Sequence, residues 1–236
     1  MMKLKVEINR EEMQNADFET KVKKSQEIIK NAIEHYNNVG FGFSGGTDSL
    51  VLAHLTLPFK KDMPALFVNT QHQFAETYAY VEKIKKDYGM NLTEVKADSD
   101  RYDEFKAKDL GEQFFVVCCE YHKINPLVKG IKDLGLDAFL TGIRGVEHEE
   151  RAKETIVSPR EGHDRINPML FWTNEDVMQY VKLHNLETNP LYDLGYRSLG
   201  CKECTKIVKD KTAHERAGRN QTREKVMERL RALGYT

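Results

Sequence analysis

Hydrophobic runs of membrane-spanning length are missing from this sequence, so no segment is expected to cross a bilayer. The first residues are polar and lysine-bearing, which does not suit a secretory leader. Cysteine is scarce, with four residues in 236. The expected location is the cytoplasm, where thiols stay reduced, so the four cysteines suggest a metal before they suggest disulfides. Charge of one sign is lacking as well. The formal net charge is −1, which carries no overall signature of a polyanion-binding protein. A Walker loop, Gly-x-x-x-x-Gly-Lys-Ser/Thr, is absent. Tryptophan occurs once, and Trp172 is read as a packing residue, not a base-stacking platform.

What is present begins at Phe41-Gly42-Phe43-Ser44-Gly45-Gly46-Thr47-Asp48-Ser49. From Val39 to Phe43 apolar residues alternate with glycine, as in a closely packed buried strand. Leu50-Val51-Leu52-Ala53-His54-Leu55 then reads as a buried helix. Strand, glycine turn and helix together aim backbone N–H groups and a positive helix end at one point, which suits an anion. Gly45 and Gly46 allow close backbone approach to a phosphate. Ser44, Thr47 and Ser49 add hydroxyl donors, and Asp48 is a candidate Mg²⁺ ligand. The plain alternative is a strand-to-helix turn capped by Ser and Asp.

Further strands are expected at 65–68, 92–95 and 138–140. Helices are expected over 17–37, from Phe74 to about Tyr88, and from Asn125, acting as cap, to Gly135. Thr173 with Asp176 forms a capping-box variant before another helix. This alternation implies an α/β fold with a doubly wound, mostly parallel sheet, whose ligands bind beyond the carboxyl ends of the strands. Residues 98–112 read as a charged surface segment or helix, with a lid as one role. The organisation is an N-terminal helical segment (1–37), a nucleotide-binding α/β domain (38–185) and a C-terminal helical and loop appendage (186–236). In the tail, Val226, Leu230 and Leu233 share a helical face. From Cys201 onward ten Lys or Arg stand against five Asp or Glu. Such a run is either a solvated face or a contact to phosphates of a nucleotide or nucleic acid.

Ser44-Gly45-Gly46-Thr47-Asp48-Ser49 resembles the PP-loop, Ser-Gly-Gly-x-Asp-Ser, of the ATP-pyrophosphatase superfamily, which cleaves ATP between the α- and β-phosphates. Many members have Lys where Thr47 stands. Asn69-Thr70-Gln71-His72-Gln73-Phe74-Ala75-Glu76-Thr77-Tyr78 resembles the Asp-Thr-Gly-x-x-Phe-x-Glu-Thr-Tyr segment of the phosphoadenylylsulfate reductase group, with Asn69 and Gln71 as departures. That resemblance implies that Asn69 and Thr70 contact the base or ribose; a polar loop and helix cap is the alternative. Thr141-Gly142-Ile143-Arg144, with Arg151 following, resembles the Thr-Gly-x-Arg segment of the same families and implies anion ligands there. Asn189-Pro190-Leu191-Tyr192-Asp193-Leu194-Gly195-Tyr196-Arg197-Ser198-Leu199-Gly200-Cys201 is similar to the reductase segment Asn-Pro-Leu-Tyr-Asp-x-Gly-Tyr-x-Ser-x-Gly-Cys. His214-Glu215-Arg216-Ala217-Gly218-Arg219 follows and is also family-like. The implied fold is of the adenine nucleotide α-hydrolase type.

The cysteines are Cys118-Cys119 and Cys201-Lys202-Glu203-Cys204. Four converging thiolates suit an iron–sulfur cluster or Zn²⁺; buried free cysteines are the alternative. The spacing resembles the [4Fe–4S] signature of adenylylsulfate reductases, which implies Cys118, Cys119, Cys201 and Cys204 as cluster ligands. Assimilatory reductases attack sulfur with a late cysteine in a Glu-Cys-Gly segment, whereas this sequence has none after Cys204. That departure and the Ser-Gly-Gly-x-Asp-Ser loop rank first a cluster-bearing ATP pyrophosphatase of sulfur metabolism. It would use ATP and Mg²⁺ to adenylylate an acceptor for sulfur insertion. Asp48, Ser49 and Arg144 would act in catalysis, and Ser44, Gly45, Gly46, Thr47, Gly142, Arg151, Arg216 and Arg219 would help hold nucleotide. The expected partners are an adenine nucleotide, a cysteine desulfurase or other sulfur donor, a nucleic-acid acceptor such as the DNA backbone in phosphorothioation, and a second copy of the chain. The alternatives are an adenylylsulfate or 3′-phosphoadenylylsulfate reductase whose nucleophile comes from a partner, and a non-catalytic nucleotide-binding iron–sulfur scaffold.

Overall fold

Val39 and Phe41 are buried, and Gly40 between them leaves room for its neighbours. A Cβ on Gly40 would stand 2.5 Å from the Leu136 side chain and 3.0 Å from the Pro64 carbonyl oxygen. Adjacent chains therefore close on this strand only because glycine is there. In the computed structural model, which describes residues 8–210 and 212–234, it becomes a central strand of a six-stranded sheet. The outermost residues of the expected first and last segments lie outside the described residues.

The chain runs through α1 (Arg10–Asn15), α2 (Phe18–His35), β1 (Val39–Gly42), α3 (Thr47–Thr56), β2 (Ala65–Val68), α4 (Ala75–Tyr88) and β3 (Leu92–Val95). It continues with α5 (Tyr102–Ala107), α6 (Gln113–Cys119), a π-helical turn (Glu120–Ile124), α7 (Asn125–Asp133), β4 (Ala138–Leu140) and α8 (Glu149–Ala152). A hairpin of β5 (Val157–Arg160) and β6 (His163–Ile166) follows, then α9 (Asn174–Leu183), α10 (Gln221–Lys225) and α11 (Met227–Ala232). Strand order is β3-β2-β1-β4-β6-β5, and every pairing is parallel except β5 with β6. Phe41 pairs with Ala65 on one side and Leu140 on the other. The order reverses between β1 and β4, so the crevice lies off their carboxyl ends, where the Ser44 and Thr141 loops emerge.

α3 is apolar around its circumference and packs against both α2 and α9, with Leu50, Val51, Leu52 and Ala53 fully buried. α2 lays Ile28, Ile29 and Ala32 on the core and is tied to the α9 region by polar contacts. Trp172 Nε1 donates to Ser25 Oγ at 2.9 Å, and Lys21 Nζ meets Asp176 Oδ2 at 2.8 Å. Asp176 also completes the expected capping box with Thr173. Trp172, 1% exposed and edge-on to Phe18, is a packing residue as expected.

Three details differ from the sequence reading, and a fourth, at 98–112, takes the helical form among those expected. Asn125 does not cap a helix: α6, the π-helical turn and α7 run on, and Asn125 is itself helical. The charged stretch 98–112 holds α5, pinned by buried Phe105 against Tyr121 and His122. The β5–β6 hairpin was not foreseen, because Val157-Ser-Pro-Arg and His163-Asp-Arg-Ile have no apolar alternation. The tail breaks at Val226 into two short helices; Met227 and Leu230 are buried, whereas Leu233 is 38% exposed.

Candidate nucleotide site and thiol cavity

Gly45 takes φ +77°, and a Cβ there would stand 2.9 Å from Val81 Cγ2. The turn is stitched from within. The Ser44 N–H donates to Ser49 Oγ at 3.1 Å, and the Ser49 hydroxyl donates to the Gly46 carbonyl at 2.8 Å. The segment at 189–192 clasps it from outside. Asn189 Nδ2 donates to the Gly45 carbonyl at 3.2 Å, and the Thr47 N–H donates to the Tyr192 hydroxyl at 3.1 Å. Burial pushes the Tyr192 phenol up to about 12. Gly142 lets the loop after β4 touch the start of α3, since a Cβ would meet the Asp48 carbonyl oxygen at 2.9 Å.

Above this turn lies a cavity of about 470 Å³, within the ~300–1,000 Å³ range of small-molecule sites. Six basic side chains, Lys123, Arg144, Arg151, Arg197, Arg216 and Arg219, face three acids, Asp48, Glu147 and Glu215. Arg144, 2% exposed, sits at the centre of them. Its Nε meets Asp48 Oδ1 at 2.6 Å and its Nη2 meets Glu215 Oε2 at 2.7 Å. Its Nη1 is buried with no hydrogen-bond partner among the described residues. A buried guanidinium N–H left open beside a cavity is the requirement for an anionic ligand. Burial raises the Asp48 carboxyl to about 6, against the pull of Arg144. Burial alone would raise Glu147 too; Arg151, Arg144 and Arg216 outweigh it and hold that carboxyl below its usual range.

Of the remaining arginines of the wall, three are tied to acids or hydroxyls, and Arg197 Nη1 donates to the Asp210 carbonyl oxygen at 3.2 Å. Arg151 pairs with Glu147. Arg216 Nε meets Glu224 Oε2 at 2.7 Å, and Arg219 Nη1 donates to Thr205 Oγ1 at 3.2 Å. Burial alone would raise Glu224; Arg216, with Arg223 and Arg219, brings it down to about 2. The basic tail is therefore not simply a solvated face, because Arg216, Arg219 and Arg223 are buried.

Next to this cavity is a small one lined by all four cysteines, Cys118 and Cys119 from the end of α6 and Cys201 and Cys204 from the loop before α10. Cys201 Sγ lies 3.3 Å from Thr70 Oγ1. Burial and the neighbouring cysteines raise the Cys204 thiol to about 11 and push Cys118 up as well. Thr70, Lys123, Cys201 and Arg219 line both cavities.

A family profile described as the phosphoadenosine phosphosulfate reductase domain matches residues 38–207. The chain belongs to that family. Among curated relatives of this reductase-family chain is an adenosine 5′-phosphosulfate reductase of Halalkalibacterium halodurans, 32% identical over 84% of the chain and 87% of the relative. A phosphoadenosine 5′-phosphosulfate reductase of Vibrio parahaemolyticus is 31% identical over 75% of the chain and 70% of the relative. In three dimensions the reductase domain resembles a phosphoadenylyl-sulfate reductase from Candida auris, solved as a phosphate complex, with TM-score 0.65, 26% identity, and coverage of 86% of this chain and 99% of that one. An FMN adenylyltransferase from Candida glabrata has TM-score 0.66 at 16% identity, covering 86% of this chain and 73% of that one, which speaks for the fold alone.

Ser44, Gly46, Thr47, Asp48, Ser49, Thr70, Gly142, Arg144 and Arg151 of the reductase domain line the larger cavity, together with Arg216 and Arg219 from beyond it. Gly45 and Asn69 do not. Gly45 shapes the turn from behind, and Asn69 Nδ2 donates to Glu94 Oε1 at 2.9 Å. Lys123, Tyr192, Arg197, Glu147 and Glu215 were not named as site residues from sequence, although all but Glu147 stand inside family-like segments, Lys123 in Lys123-Ile124-Asn125-Pro126-Leu127. Among the described residues no helix is long and apolar enough to cross a membrane.

Proposed function

We propose that this protein is an adenylylsulfate-class reductase that releases sulfite and AMP. The observation that carries this reading is the common wall of Thr70, Lys123, Cys201 and Arg219, which joins an anion cavity to a cavity of thiols. The character of the relatives supports it and reverses the order in which sequence alone ranked the two activities. Tyr192 supports it too. Its hydroxyl already takes the Thr47 N–H at the start of α3, where the outer phosphates of ATP would compete with it.

The Gly45–Gly46 turn and Arg144 Nη1 hold the phosphate of the substrate, and Lys123 with Arg219 receives the sulfate end at the common wall. The four cysteines of the sequence line the thiol cavity, so the nucleophile is assigned to a dithiol partner protein. A partner thiolate attacks the sulfate sulfur; an S–S bond forms, the S–O bond breaks, and its electron pair leaves on AMP. The partner's second thiolate attacks the first partner sulfur, which forms a disulfide and releases sulfite with the bonding pair. Four thiols lining one cavity suit an iron–sulfur centre. Cys118, Cys119, Cys201 and Cys204 would hold a [4Fe–4S] cluster, which when bound supplies a thiolate-anchored charge beside the sulfate.

The Ser-Gly-Gly-Thr-Asp-Ser turn favours a second reading: ATP pyrophosphatase activity with Mg²⁺ at Asp48, adenylylating an acceptor such as a nucleic acid. Anaerobically purified protein is incubated with adenylylsulfate and a reduced dithiol protein, and in parallel with ATP and Mg²⁺. Equal amounts of sulfite and AMP in the first vessel support the reductase. Pyrophosphate in the second, with no sulfite in the first, replaces it by the second reading.

A further inference from the structure

Three side chains unused by the nucleotide chemistry meet at the edge of the thiol cavity. His72 comes from the loop before α4, Asp100 from the loop before α5, and His122 from the π-helical turn. Their ligand atoms lie within 4.8 Å of one another. His72 Nε2 is 3.0 Å from Asp100 Oδ1, and His122 Nε2 is 3.7 Å from the same oxygen. A tetrahedral ion bonded at about 2.1 Å spaces its ligand atoms roughly 3.4 Å apart, so these separations bracket the requirement.

His122 is 2% exposed, and neither of its ring nitrogens has a hydrogen-bond partner among the described residues. Buried polar groups are ordinarily paired, so an imidazole buried with two empty positions asks for a ligand. The other nitrogen of His72, Nδ1, faces Glu203 Oε1 at 3.2 Å. A carboxylate on the far side of a histidine sets its tautomer and leaves Nε2 free to bind a metal. Asp100 is 45% exposed on its side chain, which leaves the site open to solvent on one side. π-helical turns recur at functional sites because the extra residue redirects a side chain.

We propose that His72, Asp100 and His122 form a site for one divalent transition-metal ion, distinct from the four-thiol centre. Two imidazoles and one carboxylate suit Zn²⁺, Fe²⁺ or Co²⁺ better than Mg²⁺ or Ca²⁺, which prefer all-oxygen shells. The ion joins the loop before α4 to the π-helical turn. It also steadies the Cys201–Cys204 loop, because Glu203 lies within that loop and the Lys202 N–H donates to the His72 carbonyl at 2.8 Å. This inference does not depend on which nucleotide chemistry the larger cavity performs.

The test is made on protein purified anaerobically with its thiol centre as isolated. It is dialysed against Co²⁺, analysed for metal, and its visible spectrum is recorded. The expected result is one further cobalt per chain, with d–d bands but no sulfur-to-cobalt charge transfer, displaced by Zn²⁺. Asp100→Asn and His122→Asn should lose that cobalt without changing the metal of the thiol centre. Glu203→Gln should weaken cobalt binding by about 10–100-fold. Should His122→Asn fail to fold, Asp100→Asn decides, because that side chain is largely at the surface. Cobalt bound only with sulfur charge transfer, or equal cobalt in Asp100→Asn and the parent, overturns the site.

Discussion

Arg144 ties the first turn of α3 to the loop after β4 through its 2.6 Å ion pair with Asp48. The same guanidinium holds Glu215 from the C-terminal segment at 2.7 Å, so one residue joins three distant parts of the chain. Arg144→Gln leaves both carboxylates partly buried without their partner. A stability loss of about 3 kcal/mol is expected in urea unfolding, since breaking a buried ion pair from one side strands the other charge. Adenylylsulfate affinity should fall by at least tenfold in equilibrium binding. Unchanged affinity in a folded Arg144→Gln protein removes Arg144 from the anion site.

Asp48 predicts a pH dependence with a definite sign. Its carboxyl is raised to about 6, so it is protonated below that pH and ionised above it. Protonation removes a negative charge beside Arg144 and leaves the guanidinium to the ligand. Binding of adenylylsulfate, whose own charge is constant in this range, should tighten by about tenfold, or roughly 1.4 kcal/mol, as pH falls through 6. Asp48→Asn should flatten the profile at the tight-binding level. A profile that persists in Asp48→Asn assigns the titration elsewhere.

Backbone geometry predicts a glycine effect. Gly45 is left-handed and faces Val81 and Thr77, so Gly45→Ala combines a strained φ with a steric contact at 2.9 Å. The expected loss is about 1–3 kcal/mol, read as a lowered thermal midpoint. Gly89 has φ +61° with nothing within 4 Å of its missing Cβ, so Gly89→Ala should cost about 1 kcal/mol, from backbone alone. Equal losses at the two positions would show that the close approach at Gly45 contributes nothing.

The thiol cavity predicts a stability effect. α10 packs on α6, which carries Cys118 and Cys119, while Cys201 and Cys204 stand just before α10. If the four cysteines hold a metal as proposed, its removal, or Cys204→Ser, should release this segment before the sheet unfolds. Limited proteolysis should then cut between 200 and 220, with the core fragment intact. Protection unchanged by metal removal would mean that the helices hold without the centre.

Local chemistry was legible in the sequence where a short segment determines its own outcome. The glycine turn after β1, the Thr173–Asp176 cap and the four parallel strands follow from spacing, turn residues and apolar runs. The convergence of Cys118, Cys119, Cys201 and Cys204 on one cavity also followed the pattern of the two pairs. The β5–β6 hairpin stayed hidden because its strands, Val157-Ser-Pro-Arg and His163-Asp-Arg-Ile, lack apolar alternation, although they pair with each other and β6 also pairs with β4.

By itself the sequence determined the α/β order, the phosphate-type turn and the membership of the reductase family, because those reside in contiguous motifs. Tertiary structure alone decided which charges remain open. Glu147, Glu215 and Glu224 pair with Arg151, Arg144 and Arg216, which the sequence offered as anion ligands. It also decided that Tyr192 sits on the Thr47 N–H and that His72, Asp100 and His122 meet. The physical reason is that electrostatic pairing depends on distance in space, and residues up to 155 positions apart become neighbours only after the sheet has formed.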